Sequence, residues 1–157
     1  MKIAMIGAGG FEFPLQLATD FLSFESLRDS ELALMDIDPA TLARTERLVR
    51  QVVDGHSLPT RVTATTDRRA ALVGADLVVC CFQVGGLDAY ALDVELPRRY
   101  GLDQTVGDTL GPGGIFRGLR TMAVLEGLVA DVAKLCPDAW LLQYANPMAI
   151  NCWYALA

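Results

Sequence analysis

The sequence predicts an α/β fold built on a doubly wound parallel sheet, and three observations carry that reading. Segments of strand-like composition alternate with segments of helical apolar spacing, joined by short links, which calls for parallel strands connected by right-handed crossovers. The stretch Leu77-Val78-Val79-Cys80-Cys81-Phe82 is continuously apolar, as a parallel strand covered by helices on both faces must be. A glycine-rich turn, Gly7-Ala8-Gly9-Gly10, stands between the first strand and the first helix, where a doubly wound sheet places a ligand-facing loop. The simplest strand order is 3-2-1-4-5.

Each element follows from its residues. Lys2 to Ile6 is a short apolar run ended by the glycines, and from Phe13 the positions Leu15, Leu17, Phe21, Leu22 and Phe24 recur with helical spacing. Glu31 to Asp36 is a second strand. Pro39 then opens an amphipathic helix through Leu42, Leu48, Val49, Val52 and Val53, which Gly55 ends. Arg61 to Thr65, rich in β-branched residues, is a third strand, and Ala70 to Val73 a short helical link stopped by Gly74. Asp76 to Phe82 is the fourth strand and Gln83 to Gly86 a turn. Leu87 to Tyr100 is helical, with Pro97 disturbing its end, and Gly101 to Gly114 is the least element-like stretch. Ile115 to Leu135 is a long amphipathic helix, Ala139 to Tyr144 a fifth strand, and Asn146-Pro147 closes it.

The chain of 157 residues is long enough to bury a sizeable core as one domain, residues 1–157, without metal or disulfide staples. Its net charge of −6 and its scattered Arg pairs speak against nucleic acid and anionic membrane as partners, since such partners demand a concentrated basic face. No secretory signal precedes the four cysteines, so a reducing cytoplasm is the expected compartment and the adjacent Cys80-Cys81 pair reads as small buried hydrophobes. With His56 as the sole histidine no metal site is expected inside the chain. Trp140 to Ala157 carries no charge. Gln143, Asn146, Pro147 and Asn151 argue against a membrane span there, leaving a buried strand and the start of a buried helix. That helix has no stop signal, which reads as the front part of a longer protein.

Two patterns carry chemistry. In the glycine turn, Gly7 allows the tight bend and Gly9 a close backbone approach to a pyrophosphate at a helix N-terminus, although Glu12 stands where the third glycine of a dinucleotide fingerprint belongs. Asp36 ends the second strand 27 residues beyond Gly9, where about 20 are usual. Its carboxylate suits the two adenosine ribose hydroxyls and repels a ribose phosphate, favouring NAD over NADP. Asn146-Pro147 lies at the carboxyl edge of the fifth strand, and Gly107 to Gly114 is a ligand-tolerant loop with Asp108 and Thr109 as hydroxyl partners. Arg117 and Arg120 follow at a spacing that puts both on one helical face.

Taken together, Ile6-Gly7-Ala8-Gly9, Met35-Asp36-Ile37-Asp38, Tyr100-Gly101-Leu102 before Gln104-Thr105, the run from Gly107 to Thr121 and Asn146-Pro147-Met148-Ala149 resemble the NAD- and manganese-dependent glycosidases of glycoside hydrolase family four. The likeness covers the whole chain, and the Asp108 to Gly114 run is most similar to the α-galactosidase branch. The resemblance implies a Rossmann-type domain and a known exception to two-carboxylate glycoside hydrolysis. In it the sugar is transiently oxidised at carbon three and a tyrosine removes the carbon-two proton. The aglycone is then eliminated, water adds, and the hydride returns, while a divalent metal polarises the carbonyl.

It further implies that Gly7, Ala8, Gly9, Gly10, Phe11, Asp36 and Val84 hold the cofactor and that Asp108, Arg120 and Asn146 contact the sugar. The metal ligands and catalytic residues are expected downstream of this chain, because Cys152 is followed by Trp153 and not by histidine. Self-association is expected, with Ile150, Trp153 and Tyr154 shielded by a second copy. Two other readings use the same residues: a nicotinamide dehydrogenase of the lactate and malate type, which lacks the glycine-rich loop, and a stand-alone nucleotide-binding module.

Overall fold

A computed structural model describes residues 1–104 and 108–157; Thr105 and Gly107, quoted above, lie outside the described residues. Five strands, β1 (Lys2–Ile6), β2 (Glu31–Met35), β3 (Arg61–Thr65), β4 (Leu77–Cys80) and β5 (Trp140–Gln143), form one sheet in the order β3-β2-β1-β4-β5. The β1–β2, β1–β4 and β2–β3 pairs are parallel, with Ile6 opposite Met35 and Cys80. The order matches the one expected from right-handed crossovers. Six α-helices are described: α1 (Phe13–Ser23), α2 (Pro39–Gly55), α3 (Arg68–Leu72), α4 (Gly86–Arg99), α5 (Gly111–Leu135) and α6 (Met148–Leu156).

The chain divides into two compact units: Met1–Phe82 with Asp131–Leu142, and Gln83–Ala130 with Gln143–Ala157. In the first, Ile3, Met5, Leu32, Leu34, Val62 and Val79 meet Leu17, Leu22, Leu42, Val49 and Val53 from α1 and α2 in one apolar core. The alternate residues Ala4, Ile6, Ala33, Met35, Val78 and Cys80, which point the other way by the strand period of two, are buried as well. A sheet covered on both faces explains why β4 reads as an unbroken apolar run. Helix α2 begins at Pro39 because Asp38 accepts the Ala40 N–H at 2.8 Å and proline presets the first helical φ.

Two helices start earlier than their composition suggests. Asp67 accepts the Arg69 N–H and so starts α3 at Arg68 instead of Ala70. Helix α5 starts at Gly111 and not at Ile115, since Pro112 suits a first turn and Gln104 braces it, Oε1 accepting from Gly113 N–H at 3.1 Å. Gly114 is needed there: a Cβ would come within 2.8 Å of the Thr109 backbone.

The expectation of a buried strand and helix in the uncharged segment is corrected. Trp140 is 74% and Trp153 80% exposed. As the edge strand β5 has one neighbour, and in α6 only Asn151 is buried while Ile150 and Tyr154 are half-buried. Among the described residues no helix is long and apolar enough to cross a membrane.

On α5, Asp131 accepts from Arg68 Nε at 3.0 Å and from Arg69 at 3.2 Å. Hydrogen bonding from Arg68 holds its carboxyl below the ordinary range against partial desolvation, with the Arg69 and Lys134 charges assisting. A depressed carboxyl contributes stability that is complete above the unfolded-state value, about 3.9, and is lost as pH falls through the lower folded-state value. Asp131→Asn is therefore expected to melt below the native protein at pH 7, with the gap closing as the medium is acidified through that window; thermal denaturation at both pH values reads it.

Candidate functional site

In the first unit the candidate ligand residues gather at the carboxyl end of β1 and β2. The turn after β1 folds onto β2: Gly7 and Ala8 both donate their N–H groups to the Met35 carbonyl, at 2.9 and 2.8 Å. Gly9 N–H donates to Asp36 Oδ2 at 2.8 Å, and Asp38 N–H to Asp36 Oδ1 at 3.0 Å. Gly7 has a positive φ of 92°, and a Cβ there would come within 2.5 Å of the Phe82 backbone nitrogen. A Cβ on Gly9 would meet Thr41 Oγ1 at 2.4 Å and Asp36 Cγ at 2.7 Å. Both glycines are thus required by the protein's own packing. Ala8 is fully buried in the core, so it shapes the turn without presenting a side chain to a ligand.

The N–H groups expected to face a pyrophosphate are consequently already engaged at Gly7, Ala8 and Gly9, and Gly10 N–H turns back to the Gly7 carbonyl at 3.3 Å. The start of α1 is different. Glu12 precedes it without a side-chain cap, and Pro14 in its first turn has no N–H. The first N–H groups of the helix are therefore left without a side-chain hydrogen-bond acceptor. A dinucleotide fits this arrangement in two ways: the helix end suits the pyrophosphate, and each Asp36 oxygen keeps a lone pair for a ribose hydroxyl.

Phe11 stands 91% exposed beside the turn, with the Arg44 guanidinium 5.6 Å from its ring centroid and Arg44 also donating to the Gly9 carbonyl at 3.1 Å. Sequence reasoning missed Arg44 and Thr41. Their signal was their place in the opening turns of the helix directly after Asp36.

Cys81, just beyond β4, donates its thiol toward the Ile6 and Gly7 carbonyls at 3.4 and 3.5 Å. Burial, with a smaller effect of the Asp36 charge, pushes that thiol up to about 12. It stays protonated at neutral pH and is no nucleophile.

In the second unit Asp108 is the meeting point. Its Oδ2 accepts from Arg117 at 3.2 Å and from Asn146 Nδ2 at 3.4 Å, and its Oδ1 from Thr109 Oγ1 at 3.2 Å. Asp108 and Asn146, 38 residues apart, are brought together as candidate hydroxyl partners. The peptide bond between Asn146 and Pro147 is cis.

Arg120 is not with them. Its guanidinium holds the carboxylate of Asp93 in two bonds, at 3.1 and 2.6 Å, and its Nε donates to the Val84 carbonyl at 3.0 Å. Asp93 is only 2% exposed, so this pair is an internal clamp on the turn before α4. Gly85 there has φ 90° and lies against the Arg120 stem, where a Cβ would come within 3.1 Å of Nε. Asp93 escaped sequence reasoning, though an acid on the apolar side of a helix is a signal for a buried partner. No group of three metal-binding side chains occurs among the described residues.

The model of the family described as "Family 4 glycosyl hydrolase" matches residues 2–157. An alpha-galactosidase of Rhizobium meliloti (strain 1021) is 49% identical over 156 residues, 99% of this chain and 32% of the relative. An alpha-glucosidase of Erwinia rhapontici is 41% identical over 152 residues, 96% of this chain and 34% of the relative. The 6-phospho-beta glucosidase of Thermotoga maritima, solved with manganese, NAD+ and glucose-6-phosphate, matches with a TM-score of 0.83 at 28% identity over 94% of this chain and 34% of its own. The chain spans about one third of the length of the curated relatives it matches.

The turn geometry separates its glycines. Gly7→Ala is expected to cost at least about 2 kcal/mol, from positive φ and a backbone collision. Gly10→Ala, whose Cβ would first meet the Pro14 ring at 3.3 Å, should cost under about 1 kcal/mol. Urea denaturation of the two variants measures the difference.

Proposed function

The chain belongs to family 4 of the glycosyl hydrolases, and from that premise we propose that it is the NAD-binding part of a glycosidase acting on α-galactosides. One observation carries the cofactor half of the reading: the Asp36 carboxylate, at the carboxyl end of β2, is locked to the glycine turn through Gly9 N–H at 2.8 Å. Lone pairs remain on both of its oxygens for the adenosine ribose hydroxyls, and its charge opposes a ribose phosphate. The start of α1 receives the pyrophosphate, Phe11 flanks it, and Gly7 to Gly10 give the turn the shape that keeps Asp36 in place. When bound, NAD supplies a hydride acceptor that can later give the hydride back.

In the second unit Asp108 accepts, and Asn146 donates to, hydroxyl groups of the sugar. Arg120 serves the site through the Val84 turn. Two features favour an uncharged sugar of the galactose kind. Identity is higher to the Rhizobium alpha-galactosidase than to the Erwinia alpha-glucosidase. The two buried or half-buried arginines of this unit, Arg117 and Arg120, are each matched by a carboxylate, so neither stands as a spare cation for an anionic substituent. The described residues do not fit a divalent metal site. Manganese and the tyrosine base are assigned to the length of the family's proteins that this chain does not span.

Calorimetric titration is expected to give an NAD affinity at least about tenfold above that for NADP, a difference of about 1.4 kcal/mol. Asp36→Asn keeps an acceptor for Gly9 N–H while removing the charge, and should bring the two affinities together; equal affinities in the native chain would remove the argument.

The full-length protein, given NAD, manganese and a reductant, is expected to hydrolyse an aryl α-galactoside, whereas residues 1–157 alone should not exceed a protein-free control. Hydrolysis of aryl α-glucosides in preference to α-galactosides would overturn the substrate assignment.

A further inference from the structure

The loop before α5 and the turn before α6 converge on one carboxylate, and the donors that hold it are unequal. Thr109 and Asn146 are neutral and half-buried or exposed. Arg117 is a cation whose side chain is only 10% exposed, and burying a guanidinium costs heavily unless it is paired. One side of it lies over the Tyr90 ring, 6.0 Å from the centroid. A guanidinium offers five N–H groups, and among the described residues one of them reaches an acceptor, Asp108 Oδ2.

Arg120, one helical turn on, is held quite differently. Three of its N–H groups are taken up by Asp93 and the Val84 carbonyl, as a cation serving the fold alone requires. Among the described residues the carboxylate that Arg117 meets is that of Asp108, which belongs to the glycine-rich loop.

We propose that Arg117 is a positioning residue for Asp108: it fixes the direction in which the Asp108 carboxylate accepts sugar hydroxyls and makes with it a charge-neutral pair suited to an uncharged sugar. The inference rests on the reading of Asp108 and Asn146 as sugar contacts. With Oδ2 held by Arg117 and Asn146, the carboxylate plane is set and Oδ1, whose protein donor is the exposed Thr109 hydroxyl, has capacity left for a ligand hydroxyl. Without Arg117 the carboxylate can turn about its last side-chain bond and its charge loses the nearest counter-charge.

A double-mutant cycle on the full-length protein tests this, reading the affinity for methyl α-D-galactopyranoside by calorimetry with NAD present and metal withheld, so that binding is measured and not turnover. Asp108→Asn and Arg117→Met are each expected to weaken binding by about tenfold, and Arg117→Met by less than about twofold once Asp108 is already asparagine. Arg117→Gln replaces Arg117→Met, with the same expected coupling, if the latter does not fold. Equal losses from the arginine change in both backgrounds would mean a merely structural role and overturn the inference. Native affinity in Arg117→Met beside a clear loss in Asp108→Asn would overturn it too, leaving the sugar contacts standing. Unchanged affinity in both Asp108→Asn and Asn146→Ala would instead remove the sugar site itself.

Discussion

The last carbonyl of β2 receives two N–H groups from the turn after β1, and the carboxylate one residue later receives a third. This knot at Met35 and Asp36 joins the two central strands at their carboxyl ends, sets where the chain leaves β1, and through Gly9 fixes where α1 begins. Because β1 lies between β2 and β4, a shift at the knot would be felt in both ladders. It also shows how the turn closes without a third glycine. Helix α1 starts from Glu12, and the close packing for which glycines are indispensable is made at Gly7 and Gly9 against the protein's own backbone and side chains.

The second unit solves a different problem, that of keeping arginines out of water. Each of its two internal guanidiniums faces a carboxylate, Arg117 with Asp108 and Arg120 with Asp93. Since breaking such a pair leaves an uncompensated charge, the partners are far less replaceable singly than together. The Asp93–Arg120 pair ties α4, α5 and the Val84 carbonyl into one piece. The Asp108–Arg117 pair ties a loop rich in glycine to the body of α5, beside the bonds that Gln104 makes to Leu110 and Gly113.

How much of this could be read from residues alone follows from the range of the interactions involved. Strands β1 to β3 were legible because apolar and β-branched runs bounded by glycine or proline are local signals, and the strand order because crossover handedness leaves few choices. The start of α3 was hidden in one capping bond from Asp67, and that of α5 in glycines that look like breakers but are required by contact with Thr109. Asp36 was legible from its place after β2; that both its oxygens already serve backbone N–H groups was not, since those donors are set by three-dimensional closure of the turn. Arg117 and Arg120 show the limit most clearly. Three residues apart, they differ by about 60° around the helix axis, enough to send one to Asp108 and the other to Asp93, and no spacing rule says which arginine meets which acid.

The two crowded glycines of the turn differ in what a lineage could do about them. The obstruction around Gly9 consists of side-chain atoms of Thr41 and Asp36, so a smaller residue at position 41 could make room and the turn could drift by paired substitutions. Around Gly7 the obstruction includes the main-chain nitrogen and α-carbon of residue 82, atoms that every amino acid carries. No exchange at position 82 opens that space, and a side chain at position 7 could arise only with a displacement of the segment after β4. Position 7 is therefore closed to compensatory evolution while position 9 is only conditionally closed, and the turn should diverge among descendants of this sequence from its second glycine outward.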